Sequence, residues 1–138
     1  TMSISKIIQM IRNLTLLLLI GAAFWSCEDP ATIEIKNAIN LLDNDAYHFL
    51  DVRTAEEHKI KSIPDTDCIP VQEIEKRIVE LDKYQDKKII VYCRSGNRSG
   101  TATKILNENG FKAFNMLGGM DGWKGEVVNQ ESELQLND

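Results

Sequence analysis

Residues 87–93, KKIIVYC, run through five consecutive apolar or aromatic side chains and end on Cys93. A strand that is apolar on both faces has no side to give to water, so it must be covered on both. Parallel sheets flanked by helices provide that cover. The rest of the chain agrees. Apolar stripes at helical spacing alternate with short β-branched or aromatic runs, the pattern of an α/β fold with a central, mostly parallel sheet flanked by helices.

The elements follow in order. IEIKNAINLL places Ile35, Ala38, Ile39 and Leu42 on one face of a first helix, which Asp43 and Asn44 end. YHFLDV is a short strand closing on Asp51. Thr54 and Glu57 stand at capping-box spacing and predict a short helix over TAEEHKI. Pro64 and Pro70 bracket a loop with a small strand around Cys68 and Ile69. VQEIEKRIVELDKY aligns Val71, Ile74, Ile78 and Leu81 as a second amphipathic helix. RSGTATKILNENG predicts a helix that turns Ala102, Ile105 and Leu106 inward and stops at Gly110. FKAFNM is the last strand, and GGMDGWKG a final short helix.

The chain of 138 residues has room for one domain and a short appendage. Residues 1–26 form the appendage: Lys6 and Arg12 without an acid, then the apolar run Leu14–Trp25, then Cys27. This is the layout of an export signal. Small residues before a cysteine resemble a bacterial lipoprotein signal, which implies lipid on Cys27 and a domain held to a membrane in the cell envelope, facing the periplasm. An uncleaved anchor and secretion with Cys27 unmodified are the other readings. Residues 27–34 read as a tether, 35–127 as the domain and 128–138 as a polar tail. Without residues 1–26 the chain keeps 14 Lys and Arg against 21 Asp and Glu. Such an acidic surface repels nucleic acid and anionic lipid, so no nucleic-acid partner is expected.

Cys93 opens CRSGNRSG, residues 93–100, between strand and helix. Ligands of an open parallel sheet bind outside the carboxyl ends of its strands. Gly96 allows a turn that directs backbone N–H groups inward, and the unpaired N–H groups of the following helix face the same space. The expected result is an anion cradle with a sulfur nucleophile at its floor and a lowered Cys93 pKa. Arg94 and Arg98 add positive charge. The two histidines, His48 and His58, stand at no metal-ligand spacing, so no metal is expected.

The segment resembles the six-residue C-x-x-G-x-R loop of rhodanese-type sulfurtransferases, here Cys93, Arg94, Ser95, Gly96, Asn97 and Arg98. LDVRTAEEH (50–58), IPDTDCIP (63–70) and MLGGMDGW (116–123) resemble further segments of that family in the same order, departing from Gly-His-Ile-Pro-Gly-Ala at Lys61–Thr66. The resemblance implies a rhodanese-like three-layer fold and a sulfur-carrying Cys93. It places the N–H groups of Gly96, Asn97, Arg98 and Ser99 around the sulfur. It also implies that Asp51, Arg53 and Glu57 fix the loop by ion pairing, and that Arg98, the arginine of the motif, handles an oxyanion more than Arg94. The implied reaction moves a sulfane sulfur from a donor such as thiosulfate to a thiol or cyanide and needs no cofactor. C-x4-R is one residue shorter than the C-x5-R of the related phosphatases and favours sulfur over phosphorus. A non-catalytic rhodanese-like binding domain and an arsenate reductase using the same cysteine are the alternatives. Cys68 is expected to be a small buried hydrophobe rather than a partner of Cys93, and Met116, Met120 and Trp123 to pack the core.

Overall fold

The computed structural model of the chain describes residues 2–21 and 31–129. Cys27, most of the tether and residues 130–138 lie outside the described residues, and so do the expectations attached to them. Helix α1 spans Ile4–Gly21, with Ile4, Ile7, Ile8 and Ile11 exposed. Among the described residues no helix is long and apolar enough to cross a membrane.

Five parallel strands form the main sheet in the order β1-β6-β5-β2-β4, where β1 is Thr32–Glu34, β2 Tyr47–Asp51, β4 Asp67–Cys68, β5 Lys88–Tyr92 and β6 Lys112–Leu117. As its composition requires, β5 lies at the centre, paired along its length to β2 on one side and to β6 on the other. Alternation along β5 then divides the core in two. Ile89, Val91 and Cys93 face α5 (Asn97–Glu108) and α4 (Ile74–Arg77), packing with Ala102, Leu106, Ile74 and Leu81. Ile90 and Tyr92 face α2 (Ile35–Ile39) and α6 (Gly119–Gly122), packing with Ala38, Met116, Met120 and Trp123. The three-layer α/β arrangement is the one that the apolar strand predicts, and Met116, Met120 and Trp123 are core residues.

Four local details differ from the sequence reading. Thr32–Glu34, read as the end of the tether, is the edge strand β1 in register with Asn115–Leu117. The β-branched Thr32 and Ile33 suit that edge, and the first helix is correspondingly shorter. Residues 71–84 are not one regular helix: α4 sits between 3-10 turns at Val71–Glu73 and Ile78–Tyr84. The apolar residues of this segment recur at 3, 4 and 3, a mean between the roughly 3.0 residues per turn of a 3-10 helix and the roughly 3.6 of an α-helix. Tightening the flanking turns keeps the stripe inward, with Ile74 and Leu81 buried. Val128 and Asn129, placed in the tail, form β7, antiparallel to β3 (Lys61–Ser62). In the loop that departs from the resembled pattern, Asp65 stands at the second glycine position and adopts φ +55. Aspartate is among the few side chains that enter this left-handed region readily.

Helix α3 (Ala55–Ile60) begins where the capping box predicts. Thr54 Oγ1 accepts from Glu57 N at 3.2 Å, and Glu57 Oε2 accepts from Thr54 N at 3.0 Å. This fixes the position of Glu57 at the carboxyl edge of the sheet.

Candidate active site

Cys93 follows the last residue of β5 on the face that looks toward α5, so the first turn of that helix stands over its sulfur. The chain reaches the helix through Gly96, whose φ of +106 belongs to the region open to glycine. This turn brings Gly96 N to 3.1 Å from Cys93 Sγ, and Ser99 Oγ lies 3.3 Å from the same sulfur. Cys93 is 1 % exposed. Burial pushes its pKa up, but hydrogen bonds from the Ser99 hydroxyl and from the N–H groups of Ser99, Gly96 and Ser95 outweigh it, leaving the pKa below the ordinary thiol value. Backbone dipoles already aimed at the sulfur, with the Ser99 hydroxyl beside them, thus favour its charged form.

The two arginines are held differently. Arg98 donates from both terminal guanidinium nitrogens to Glu57, at 2.8 and 3.0 Å, and so braces α5 against α3. The guanidinium hydrogen bonds draw the Glu57 carboxyl down to about 2, and the capping contact with Thr54 N adds to the effect. Arg94 is exposed, and its side chain makes no hydrogen bond or ion pair among the described residues. Arg94, not Arg98, is the uncommitted cation of the loop.

Asp51 and Arg53 also part from the role read for them. Asp51 is buried and accepts from Arg53 N at 2.9 Å, from Arg53 Nε at 3.0 Å and from the terminal Arg53 NH2 at 2.6 Å, with His58 Nδ1 at 2.9 Å. Arg53 also donates to Lys61 O at 2.7 Å. The pair closes on itself and ties the end of β2 to the start of β3. Of the three residues expected to fix the loop by ion pairing, Glu57 alone does so.

Two contributors escaped the sequence reading. Gly119, with φ +52, starts α6 so close to the loop that a Cβ there would overlap the carbonyls of Cys93 and Arg94. The approach lets Met120 N donate to Cys93 O at 2.9 Å and Asp121 N to Arg94 O at 3.0 Å, fixing the back of the loop. Asn115, buried on β6, accepts from Ser99 Oγ at 2.6 Å and donates to Gly96 O at 3.1 Å. An asparagine at an inward position among Ala113, Phe114 and Met116 was the available signal.

Cys68 sits two strands from Cys93, with β2 between them. Two strand spacings make roughly 10 Å, beyond the ~7 Å between Cα atoms that a disulfide tolerates. Burial, with Asp51 nearby, pushes the Cys68 thiol up to about 11, so it stays protonated and unreactive. Among the described residues no cluster of His, Cys, Asp and Glu could hold a metal ion. A cavity of about 580 Å³, lined by His48, His58, Asp67 and Tyr84 among others, includes none of residues 93–99.

A family model described as the rhodanese-like domain matches residues 34–126. The chain belongs to the rhodanese-like domain family. It is 40 % identical over 100 residues to YtwF of Bacillus subtilis, an alignment covering 72 % of this chain and 93 % of that one. It is 32 % identical over 75 residues to the thiosulfate sulfurtransferase PspE of Escherichia coli, covering 54 % of this chain and 72 % of that one. Among solved structures, a rhodanese-related protein of Thermoplasma volcanium superposes with a TM-score of 0.65 at 31 % identity, covering 71 % of this chain and 97 % of that one. The chain spans less than half of several longer relatives. It carries a single rhodanese-like domain homologous to bacterial sulfurtransferases.

Two outcomes follow from this rhodanese-like loop. Gly119→Ala must separate α6 from the loop carbonyls, so it should lower stability by about 1–3 kcal/mol and raise the Cys93 pKa, as urea unfolding and alkylation rates against pH would show. Glu57→Gln should lower the melting temperature by a constant amount above pH 4.5, the ordinary carboxylate value, because the paired carboxylate is fully ionised there. The gap should close as pH falls from 4.5 through about 2, where the native carboxylate takes up its proton.

Proposed function

We propose that this rhodanese-like domain is a sulfurtransferase that carries a sulfane sulfur on Cys93, taken from a donor of the thiosulfate type and passed to a thiol. The observation that carries this reading is the set of donors around one buried sulfur, Gly96 N at 3.1 Å and the Ser99 hydroxyl at 3.3 Å, at the carboxyl end of the central strand. Its likeness to a thiosulfate sulfurtransferase of Escherichia coli supports the choice of donor.

In the first half-reaction the Cys93 thiolate attacks the outer sulfur of thiosulfate. A bond forms between Sγ and that sulfur, the bond to the sulfonate breaks, and sulfite leaves with its electron pair. The new persulfide carries its negative charge on the terminal sulfur, where loop N–H groups hold it in the manner of an oxyanion hole. An acceptor thiolate then attacks the terminal sulfur and expels Cys93 as thiolate, so charge and atoms are restored. The lowered pKa raises the share of Cys93 present as thiolate, and the thiolate attacks without a general base.

The exposed Arg94 guanidinium guides the dianionic donor, whereas Arg98, paired with Glu57, maintains the shape of the loop. The purified domain should gain the mass of one sulfur on Cys93 with thiosulfate, reversibly by dithiothreitol, while sulfite is released in equal amount. A folded protein that shows no such adduct would refute the reading, and Cys93→Ser should abolish transfer. Arg94→Ala should raise KM for thiosulfate severalfold with kcat and melting temperature nearly unchanged. Arg98→Ala should lower kcat and stability together. Equal kinetic losses with unaltered stability would show that the two arginines share one role.

A further inference from the structure

The Ser99 hydroxyl has one proton and two neighbours able to take it. Asn115 Oδ1 lies at 2.6 Å and Cys93 Sγ at 3.3 Å. The orientation of the Asn115 amide is not free. Its Nδ2 faces Gly96 O at 3.1 Å, and turning the amide over would set two carbonyl oxygens against each other. Asn115 Oδ1 must therefore face Ser99, and because this oxygen only accepts, the 2.6 Å contact exists when Ser99 donates.

We infer that Asn115 is a positioning residue: held by Gly96 O, its amide oxygen competes with Cys93 Sγ for the single Ser99 proton and so sets the balance between thiol and thiolate at Cys93. The inference rests on reading Cys93 as the sulfur carrier. With the thiol protonated, Ser99 donates to Asn115 and accepts from Cys93 S–H, so every group in the chain is satisfied. With the thiolate formed, Ser99 turns its proton to Sγ and Asn115 Oδ1 loses its partner. Once Sγ is neutral again within a persulfide, the proton returns to Asn115. The hydroxyl thus has two rest positions, and the amide holds the nucleophile back from permanent ionisation.

The charged side chains near the loop do not supply this control. On α5, Arg98 is paired with Glu57 of α3; on β2, Asp51 and Arg53 are paired with each other. Arg94 on the loop and Asp121 on α6 are exposed, and β6 presents Asn115, Met116 and Leu117. The second acceptor for the Ser99 proton is an uncharged amide.

The test is the pH midpoint of iodoacetamide alkylation at Cys93, read by peptide mass spectrometry on the full chain without a sulfur donor. Ser99→Ala should raise the midpoint by about one pH unit, the scale of a lost hydrogen bond to a charged acceptor. Asn115→Leu should lower it by about half a unit to one unit, a roughly three- to tenfold gain in thiolate below the midpoint. The double variant should match Ser99→Ala, since the amide acts only through the hydroxyl. An amide that merely supports the loop would raise the midpoint when removed, and would do so in the Ser99→Ala background as well; either result overturns the inference. Asn115→Thr, which suits a strand, is measured alongside in case leucine overfills the site, with thermal melting as the check on folding. A Ser99→Ala midpoint equal to that of the parent overturns the inference whatever the Asn115 variants do. Failure of thiosulfate to load Cys93 leaves these midpoints standing, and successful loading with unmoved midpoints removes only the role of Asn115.

Discussion

The two-sided pairing of β5 is the constraint from which the site descends. Because β2 and β6 both hold its backbone, the strand end cannot shift without breaking both ladders. The period of two along the strand then decides that Cys93 looks toward α5 and not toward α6. From that face Sγ meets the N–H groups and hydroxyl of the next helix turn. The sheet also selects the other participants. Val91 pairs with Asn115, so the amide lies on the same face two residues back from the sulfur, and α6 leaves β6 just where the loop carbonyls emerge.

How much of this was legible depends on how far apart the cooperating residues are in sequence. Cys93, Gly96 and Ser99 lie within seven positions, and strand, turn and helix signals there agree, so the turn that brings N–H groups to the sulfur could be read directly. The Thr54–Glu57 box was equally local. The second role of Glu57, as the partner of Arg98, spans 41 positions. Only the order of strands in the sheet brings α3 beside α5. Asp51 and Arg53 misled for the complementary reason: their charges invited a bond to the loop, but residues two apart at a strand end met first and buried their pairing. Gly119 was visible as half of a double glycine, yet what it approaches depends on a crossover that no local pattern contains.

The broken helix at 71–84 and the edge strand at 32–34 show a different limit. At 71–84 apolar periodicity identified inward-facing residues correctly, and Ile74 and Leu81 are buried. What periodicity could not fix was the backbone type. A stripe with mean spacing near 3.3 satisfies either helix, and packing against α5 and the sheet decides between them. Likewise Ile33 packs on the core from an extended chain as well as it would from a helical turn. Burial is the stronger signal because many conformations can present the same side chain, whereas backbone hydrogen bonds depend on which partner is available.

The electrostatics of the site follow from those pairings. Arg53 and Arg98 are each matched by a carboxylate, so neither guanidinium offers a free positive charge to the loop. Stabilisation of a charged sulfur then falls to backbone dipoles, which need no reorganisation as charge arrives and leaves, and to one hydroxyl that turns between Asn115 and Sγ. On the proposed reading, this suits a sulfur that acts as nucleophile in one half-reaction and leaving group in the next. A fixed cation beside Sγ would stabilise the thiolate at both stages and make it a poorer nucleophile. On the same reading, the hydroxyl inferred to have two rest positions withdraws its proton once the charge has moved outward to the terminal sulfur. In an acidic domain, the remaining uncommitted cation of the loop, Arg94, is exposed, next in sequence to the buried Cys93. In the proposed reaction, attraction of an anionic donor and tuning of the nucleophile thereby fall to different groups, and either can vary without disturbing the other.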